Sequence, residues 1–383
     1  MLQPQQDFLS LVCVGDVRPH RDDPPSMFSH CGEALRTADV VFGQLESTYS
    51  ERGTPMFVPS SPSRRAPKNI MAFTEKGAGF DTMSFACNHA MDYGWEAFYD
   101  TLALFQKHNI PLVGAGKNIE EARKPAIIER KGTRVGFLAY VSVIFPGLMA
   151  EENVPGCVPL RASNFYQQLY RFQPGTPPLI ITELFPEDKK AMEDDIKKLR
   201  SQVDVLVVSM HCGVFMTPAV IAMYQKEAAY AAIDAGADLV LQHHAHILKG
   251  IEVYKGKAIF YGLGNFAVDR IPDFPGKLEP WDPAYRITKE FFHIKPIPGW
   301  EKYPYLADAR NTMIAKAYIA DKKIEKVTYI PTYINPDAEP EVVTRKDPLA
   351  QDVFDYVKEI SEYENLKVHF SWDGDEVLIT EKK

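Results

Sequence analysis

Short apolar runs alternate with amphipathic stretches along most of this chain. Runs rich in β-branched and aromatic residues predict strands at 9–14, 40–45, 80–85, 111–113, 203–209 and 238–242. Apolar positions at helical spacing predict helices near 26–37, 93–108, 188–202, 218–235 and 349–361. Strands that alternate with helices are typical of a sheet covered by helices, so the pattern predicts an α/β fold.

Turn residues between apolar runs predict further strand pairs. These lie at 126–140, around 255–256, around 321–323 and on both sides of 372–375. Three segments interrupt the pattern and are expected to be insertions, at 50–68, 145–182 and 270–305. The third carries Trp281, Tyr285, Phe291, Phe292 and Trp300 and is expected to form a wall or lid. We therefore expect one main domain over 1–335 and a small α+β extension over 336–383.

The strand at 238–242 leads directly into a turn with three imidazoles, His243, His244 and His246. In an H-x-H pair on an extended backbone, both side chains point to the same face, because the strand period is two. His244 and His246 are therefore predicted to bind metal, and a structural hydrogen-bond cluster is the alternative. His243 is one residue out of phase, so we expect it to face away and to support the ligands or pack.

Other metal-type side chains follow other predicted strands. They are Asp16, Glu46, the pair Asn88-His89, and His211. Open α/β sheets collect ligands at the carboxyl ends of their strands, so these groups are expected to converge. Carboxylates with imidazoles suit Mn²⁺, Zn²⁺ or Fe²⁺, and the absence of cysteine at these positions argues against a thiolate zinc site. The alternatives are a helix cap for Asp16, a surface carboxylate for Glu46 and a turn residue for Asn88.

The composition indicates which binding partners and which cellular compartment are expected for this chain. The chain has 383 residues, with 51 acidic and 43 basic residues and a net charge of −8, and it contains no dense basic block. Nucleic-acid binding is therefore disfavoured. Five scattered cysteines without a C-x-x-C predict reduced thiols. We see no signal peptide and no apolar run of membrane-spanning length, so the chain is expected in the cytoplasm, away from the membrane.

Six short motifs carry a resemblance to a known family. They are VGDV at 14–17, NHAMDYG at 88–94, MHCG at 210–213, AGAD at 235–238, HHAH at 243–246 and YGLGNF at 261–266. In this order they resemble the CapA family, which is tied to poly-γ-glutamate capsule synthesis and is similar to calcineurin-like metallophosphoesterases. The resemblance covers about residues 8–335. It implies a calcineurin-like sandwich of two mixed β-sheets flanked by helices.

The same resemblance implies roles for single residues. Asp16 and His246 would hold a first divalent ion, and Glu46 would bridge two ions. A second ion would be held by Asn88, His211 and His244, and His89 would protonate a leaving group or steady the transition state. Two positions differ from the phosphoesterase pattern, because Arg18 replaces a metal-binding histidine and Glu46 replaces an aspartate. The sequence therefore leaves open whether one ion or two are bound. Arg18 is expected to bind an anionic group of the substrate.

Residues around these ligands complete the candidate site. Arg64 and Arg65 in the first insertion and Arg161 in the second are candidates for recognising substrate carboxylates, with solvated charges as the alternative. Asp92 and Asn265 are expected to orient the neighbouring site residues.

The sequence predicts a metal-dependent hydrolase of a small or short polyanionic substrate. A divalent ion lowers the pKa of bound water and so supplies a hydroxide nucleophile. Because Arg18 displaces the phosphoesterase histidine, cleavage of an amide (γ-glutamyl-like), lactone or ester bond is favoured over a phosphoester. The alternatives are a metallophosphoesterase and a non-catalytic metal-containing protein for poly-γ-glutamate assembly. Whether the chain forms a homo-oligomer is left open.

Overall fold

The computed structural model describes residues 8–56, 63–145, 147–173, 175–269 and 297–382. In chain order the strands are β1 (Leu9–Arg18), β2 (Val40–Leu45), β3 (Thr48–Tyr49), β4 (Arg64–Arg65), β5 (Thr82–Ser84), β6 (Leu112–Val113), β7 (Ala115–Gly116), β8 (Ala126–Arg130), β9 (Thr133–Val141), β10 (Gly156–Cys157), β11 (Ala162–Gln167), β12 (Leu179–Leu184), β13 (Val205–His211), β14 (Leu239–His243), β15 (Ile251–Tyr254), β16 (Lys257–Phe260), β17 (Asn265–Val268), β18 (Asn311–Ala320), β19 (Lys323–Ile334), β20 (Pro340–Val342), β21 (His369–Asp373) and β22 (Glu376–Thr380). The α-helices are α1 (Gly32–Arg36), α2 (Gly94–Lys107), α3 (Ile119–Ala122), α4 (Pro186–Arg200), α5 (Met223–Ala235) and α6 (Pro348–Tyr363).

Two mixed sheets form the centre of the fold. The first runs in the order β21-β22-β19-β18-β1-β2-β5-β6, with β17 added beside β1 and β20 beside β19. The second runs in the order β15-β16-β14-β13-β9-β8. Strands β1, β2, β5 and β6 are mutually parallel, as are β9, β13, β14 and β16. The predicted fold class, an α/β sandwich of two mixed sheets flanked by helices, is confirmed.

Central strands read as nearly continuous apolar runs because both of their faces are covered. All residues of β2 and β13 are buried, and Ser10 is the one partly exposed position of β1. Such strands are typical of parallel sheets with helices on their faces. The carboxyl ends of β1, β2 and β5 in the first sheet and of β13 and β14 in the second carry the candidate ligands.

The helices that cover the second sheet follow ordinary sequence rules. In α4, Met192, Ile196 and Leu199 recur at helical spacing and are buried. Proline opens this helix, and the acidic first turn and basic last turn complement its dipole. Helix α5 ends at Gly236, whose φ of 125° is a conformation that other residues rarely adopt.

Several predicted elements need correction. The single helix expected at 26–37 is wrong, since a 3₁₀ turn at Pro24–Phe28 precedes the short α1. The hydroxyl of Ser29 donates a hydrogen bond to the carbonyl of Ser26 at the end of that turn. The segment 145–182 is not irregular throughout, because β11 and β12 pair as an antiparallel hairpin. In the first insertion, β4 pairs with β3.

The remaining insertion and the tail are described only in part. Trp281, Tyr285, Phe291 and Phe292 lie outside the described residues, whereas Trp300 is described. The segment predicted as a C-terminal extension holds α6, β21 and β22. Strand β22 pairs with β19, so these strands continue the first sheet. No helix among the described residues is long and apolar enough to cross a membrane.

The two sheets meet through stacked aromatic rings. Phe42 of β2 and Phe137 of β9 are both fully buried, and their ring centroids lie 5.0 Å apart with nearly parallel planes. We predict that Phe137→Ala lowers the free energy of unfolding by about 3–5 kcal/mol, because it leaves a cavity between the sheets. Denaturant unfolding measures this change. Phe172, which is 86% exposed, supplies the control, and an equal loss in Phe172→Ala would contradict the prediction.

Candidate metal centre

Five strand ends bring the predicted ligands together. Asp16 lies near the end of β1, Glu46 follows β2, and Asn88 and His89 follow β5. His211 ends β13, and the histidine turn follows β14. Ligand atoms of Asp16, Glu46 and His246 all lie within 4.8 Å of one another, and all three residues are buried. The convergence expected from the strand order is therefore present.

The position of Asp16 depends on a close approach of two backbones. The backbone N–H of Asp16 donates to the carbonyl of Gly264 at 2.9 Å. A Cβ on Gly15 would lie 2.0 Å from that carbonyl oxygen, so only glycine fits at position 15. The register between β1 and β17 shifts directly after Asp16. Gly15 and this register shift together determine the position of the Asp16 carboxylate.

Asp16 and Glu46 form a buried pair of carboxylates. Both are 0% exposed, and no hydrogen bond of good geometry reaches any of their four oxygens from the described residues. Burial and the charge of Glu46 raise the pKa of Asp16 well above its usual range. Burial also disfavours ionised Glu46, but His246 and Arg18 outweigh it and lower the pKa of Glu46. The charge of Arg18 therefore favours ionised Glu46, but it does not offset the burial of Asp16 and its repulsion by Glu46.

A hydrogen-bond chain fixes the tautomer of His246. Tyr303 donates its hydroxyl hydrogen to the carbonyl of Ala309 at 2.7 Å, so its oxygen accepts from Nδ2 of Asn265 at 2.8 Å. Oδ1 of Asn265 then accepts from Nδ1 of His246, also at 2.8 Å. Burial lowers the pKa of His246 and so favours the neutral ring, in which Nε2 carries a lone pair. That atom lies 3.2 Å from Oε1 of Glu46, as two ligands of one cation would.

The backbone of the histidine turn differs from the expected extended form. Strand β14 ends at His243, and both His244 and His246 have positive φ, at 79° and 57°. The predicted extended backbone of the H-x-H pair is therefore wrong, although both rings still reach the site. Positive φ is uncommon for residues with a Cβ and is found at functional sites where the surrounding structure enforces it.

Asn88, His211 and His244 form a second group beside Glu46. Oδ1 of Asn88 lies 2.7 Å from Nε2 of His211, and that nitrogen is 4.0 Å from Oε1 of Glu46. The rings of His211 and His244 lie 5.1 Å apart. Burial and neighbouring imidazoles lower the pKa of His211 well below its usual range and that of His244 to about 3. Neutral imidazoles are the form that binds metal.

His243 does not turn away from the site. Its Nδ1 lies 3.9 Å from Oδ1 of Asp16, and both ring nitrogens are buried without a hydrogen-bond partner among the described residues. The expectation that it faces the opposite side is therefore wrong, because the turn does not continue the strand geometry. Burial lowers its pKa to about 3, so it approaches Asp16 as a neutral ring.

His89 is held as a proton donor or acceptor at the edge of the site. Its Nδ1 lies 2.6 Å from Oδ2 of Asp92, which also accepts from the backbone N–H of Ser63 at 2.5 Å. Burial disfavours the charged ring, but the charges of Asp92 and then Glu46 outweigh it and raise the pKa of His89. This contact places Asp92 where it can orient the ring of His89.

Arg18 lies beside the carboxylate of Glu46. Its Nη1 is 3.6 Å from Oε2 of Glu46, and its Nη2 donates to the hydroxyl of Tyr305. Its side chain is 5% exposed. Arg18 therefore contacts the candidate ligand set directly.

The other three predicted arginines have different surroundings. Arg65 is 1% exposed and donates to the carbonyl of Asp269 at 3.3 Å. Arg64 lies over the ring of Tyr93 and donates to backbone carbonyls of Glu51 and Arg52. Arg161 pairs with Asp188 at 2.7 Å and with Glu187 at the start of α4. The predicted role of Arg161 in substrate binding gains no support from this arrangement.

Aromatic rings also lie against the imidazoles, and the sequence did not predict a role for them. The rings of Phe215 and Tyr305 lie 5.3 and 6.0 Å from His246, and Tyr303 supports Asn265. Tyr303 and Tyr305 belong to the described part of the segment expected to form a wall. No local pattern marks these residues, because their contacts come from distant parts of the chain.

The donor set fits a divalent cation. Buried carboxylate oxygens that accept no hydrogen bond of good geometry from the described part of the chain, together with the lone pair of His246, suit Mn²⁺, Zn²⁺ or Fe²⁺. No cysteine sulfur belongs to this set. A cation would remove the repulsion between Asp16 and Glu46.

Comparison with known proteins identifies the family. Residues 10–270 match the family model described as bacterial capsule synthesis protein PGA_cap, and the chain belongs to this family. The predicted resemblance to the CapA family is thereby confirmed.

Individual relatives agree with this assignment. The PGA biosynthesis protein CapA of Bacillus subtilis is 30% identical over 289 residues, which cover 69% of this chain and 64% of that protein. The capsule biosynthesis protein CapA of Bacillus anthracis is 27% identical over 282 residues, covering 70% and 61%. The chain thus spans less than two thirds of the length of these two relatives.

Among solved structures, the calcineurin-like phosphoesterase YfkN from Bacillus subtilis aligns over 94% of this chain and 99% of that chain, with 12% identity and a TM-score of 0.39. The family assignment rests on the sequence matches.

We predict that Asn265→Ala weakens Zn²⁺ or Mn²⁺ binding about 10–100-fold, because His246 loses the partner that fixes its tautomer. Titration against a competing chelator measures the affinity. Asn164→Ala, on the exposed part of β11, is the control and should bind metal like the parent protein. Unchanged affinity in Asn265→Ala would show that the hydrogen bond to His246 does not support metal binding.

Proposed function

We propose that this protein is a metal-dependent hydrolase that cleaves an amide (γ-glutamyl-like), lactone or ester bond in a small, anionic substrate. The buried group of Asp16, Glu46 and His246 is the observation that carries this proposal. Two buried carboxylates that accept no hydrogen bond of good geometry from the described residues are costly unless they serve a cation. The family's association with capsule synthesis agrees with a substrate that carries glutamyl groups.

Asp16, Glu46 and His246 would hold one divalent ion, and Asn88, His211 and His244 would hold a second beside Glu46. Such an ion lowers the pKa of water and polarises the substrate oxygen that it contacts. Tyr303 and Asn265 keep the lone pair of His246 on Nε2, the nitrogen that lies 3.2 Å from Glu46.

His89 would supply the proton that the leaving group needs. Its Nδ1 is engaged by Asp92, so Nε2 is the atom that can reach a substrate. The raised pKa keeps a larger fraction of His89 protonated near neutral pH than an ordinary histidine. A protonated ring suits donation to a departing amine or alkoxide.

Arg18 favours carbon-centred ester and amide substrates over phosphoesters within this proposal. It stands where the phosphoesterase pattern has a metal ligand, and it contacts Glu46 instead. One ligand fewer weakens the first metal position. A planar guanidinium in its place can bind a substrate carboxylate through two hydrogen bonds.

We propose that the protein works in a reducing cytoplasm and acts on small-molecule substrates. The five cysteines are all free and buried, which suits a compartment that maintains thiols. A net charge of −8 disfavours nucleic acid as a partner.

Elemental analysis followed by a substrate screen tests the proposal. Purified protein is expected to carry, or to take up, a divalent ion, and then to hydrolyse γ-glutamyl amides, lactones or esters faster than phosphoesters. Mn²⁺, Zn²⁺ and Fe²⁺ are compared after chelation. Faster phosphoester cleavage would favour a metallophosphoesterase. Metal without any turnover would favour a binding protein, and failure to bind any of the ions would overturn the proposal.

We predict that His89→Ala retains metal but loses about 10²–10⁴-fold in kcat, because the leaving group lacks its proton donor. Metal content and kcat are measured on the same preparation. His369→Ala, at an exposed histidine of β21, is the matched control and should keep the parent rate. An unchanged kcat in His89→Ala would remove His89 from the mechanism.

A further inference from the structure

A cluster of buried polar side chains adjoins the candidate metal centre on the side of Arg18. Arg18, Arg65, Tyr49 and Tyr305 form this cluster, called the arginine pocket below, and all are at most 8% exposed. Tyr49 and Arg65 are register partners in the pair of β3 and β4. Arg18, at the end of β1, joins the pocket to Glu46 and donates to Tyr305. The pocket is therefore built from strand ends and has a defined position beside the ligands.

Arg65 has no counter-charge at ion-pair distance among the described residues. Its hydrogen bond goes to the backbone carbonyl of Asp269, whereas the carboxylate of Asp269 is engaged by Arg21 at 3.1 Å and by the backbone of His20 at 2.7 Å. Its Nε is buried without a partner. A buried guanidinium without an anion is costly, and this cost indicates that an anion completes the pocket.

Two more groups in the pocket have unused hydrogen-bonding atoms. Nε of Arg18 and the hydroxyl of Tyr49 are both buried without a partner in the described ranges. Arg18 also depends on Glu46 for its counter-charge, at 3.6 Å. When Glu46 binds a cation, that carboxylate no longer balances Arg18 fully. Metal binding therefore increases the need for an anion.

We propose that Arg65, Arg18 and Tyr49 bind an oxyanion, the carboxylate or phosphate group of the substrate, next to the metal centre. Guanidinium groups bind both kinds of oxyanion through paired hydrogen bonds, and the tyrosine hydroxyl adds a third donor. This inference rests on the proposed function in one respect, because it assigns the anion to the molecule that is cleaved there. It places the anionic group of that substrate close to the scissile bond.

The rival role for Arg65 is a structural tether between β4 and the backbone at Asp269. The two roles differ in what removal of the guanidinium does to the protein without an anion. A tether stabilises the fold, so its loss lowers Tm. An unpaired buried charge destabilises the fold, so Arg65→Met would leave Tm unchanged or raise it.

The test compares full-length parent protein, Arg65→Met and the exposed-arginine control Arg171→Met. Each is titrated calorimetrically with inorganic phosphate and with L-glutamate, with and without bound Zn²⁺, and Tm is recorded with and without each anion. We expect one or both anions to raise the Tm of the parent protein. Arg65→Met should bind the anion about tenfold or more weakly, a loss of about 1.4 kcal/mol or more, whereas Arg171→Met should bind like the parent.

The two anions identify the group that the pocket accepts, since glutamate presents carboxylates and phosphate does not. The proposal is overturned if neither anion binds, if Arg65→Met binds both as the parent does, or if Arg65→Met has a lower Tm without anion and loses no anion affinity. Measuring the metal content distinguishes failure of this inference from failure of the proposed function. Zn²⁺ binding with turnover but without an Arg65-dependent anion site removes only the pocket, whereas an anion site in a protein that binds no metal removes only the hydrolase.

Discussion

The burial of two carboxylates at one point governs the organisation of this molecule. Asp16 and Glu46 lie fully inside the protein without hydrogen bonds of good geometry from the described residues. Ionised carboxylates in such surroundings are costly unless positive charge is close. The neutral imidazoles, the fixed tautomer of His246 and the guanidinium of Arg18 are all arranged around this pair. Each is understandable as a response to the same electrostatic problem, which a bound cation solves.

Glu46 is the residue that connects the separate parts of the site. Its Oε1 faces His246 and His211, and its Oε2 faces Arg18. One oxygen therefore faces the imidazoles and the other faces the guanidinium. A glutamate has one more methylene than an aspartate, and the Glu46 carboxylate here lies 3.6 Å from Arg18. The two residues in which the sequence is expected to differ from the phosphoesterases therefore contact each other.

Much of the fold and the membership of the candidate site could be predicted from the sequence, because both depend on local patterns. Buried parallel strands read as apolar runs, and polar residues directly after them mark the ligand-bearing edge. The failures have physical causes. Periodicity assumes an extended backbone, whereas His244 and His246 have positive φ. Tyr305 is 287 residues from Arg18 in the chain, and no local signal announces that contact. Prolines around 174–178 obscured the hairpin of β11 and β12.

The placement of β1 has a consequence for how the chain folds. One side of this strand pairs with β2, which is near in sequence, but the other side pairs with β18 and β17, which are synthesised some 250 to 300 residues later. Until those strands arrive, the apolar strand that carries Asp16 presents an open edge, a form prone to pairing with other chains. Pairings this distant are slow to form. The first carboxylate of the site is therefore translated early but set in place late, when the chain closes over β1.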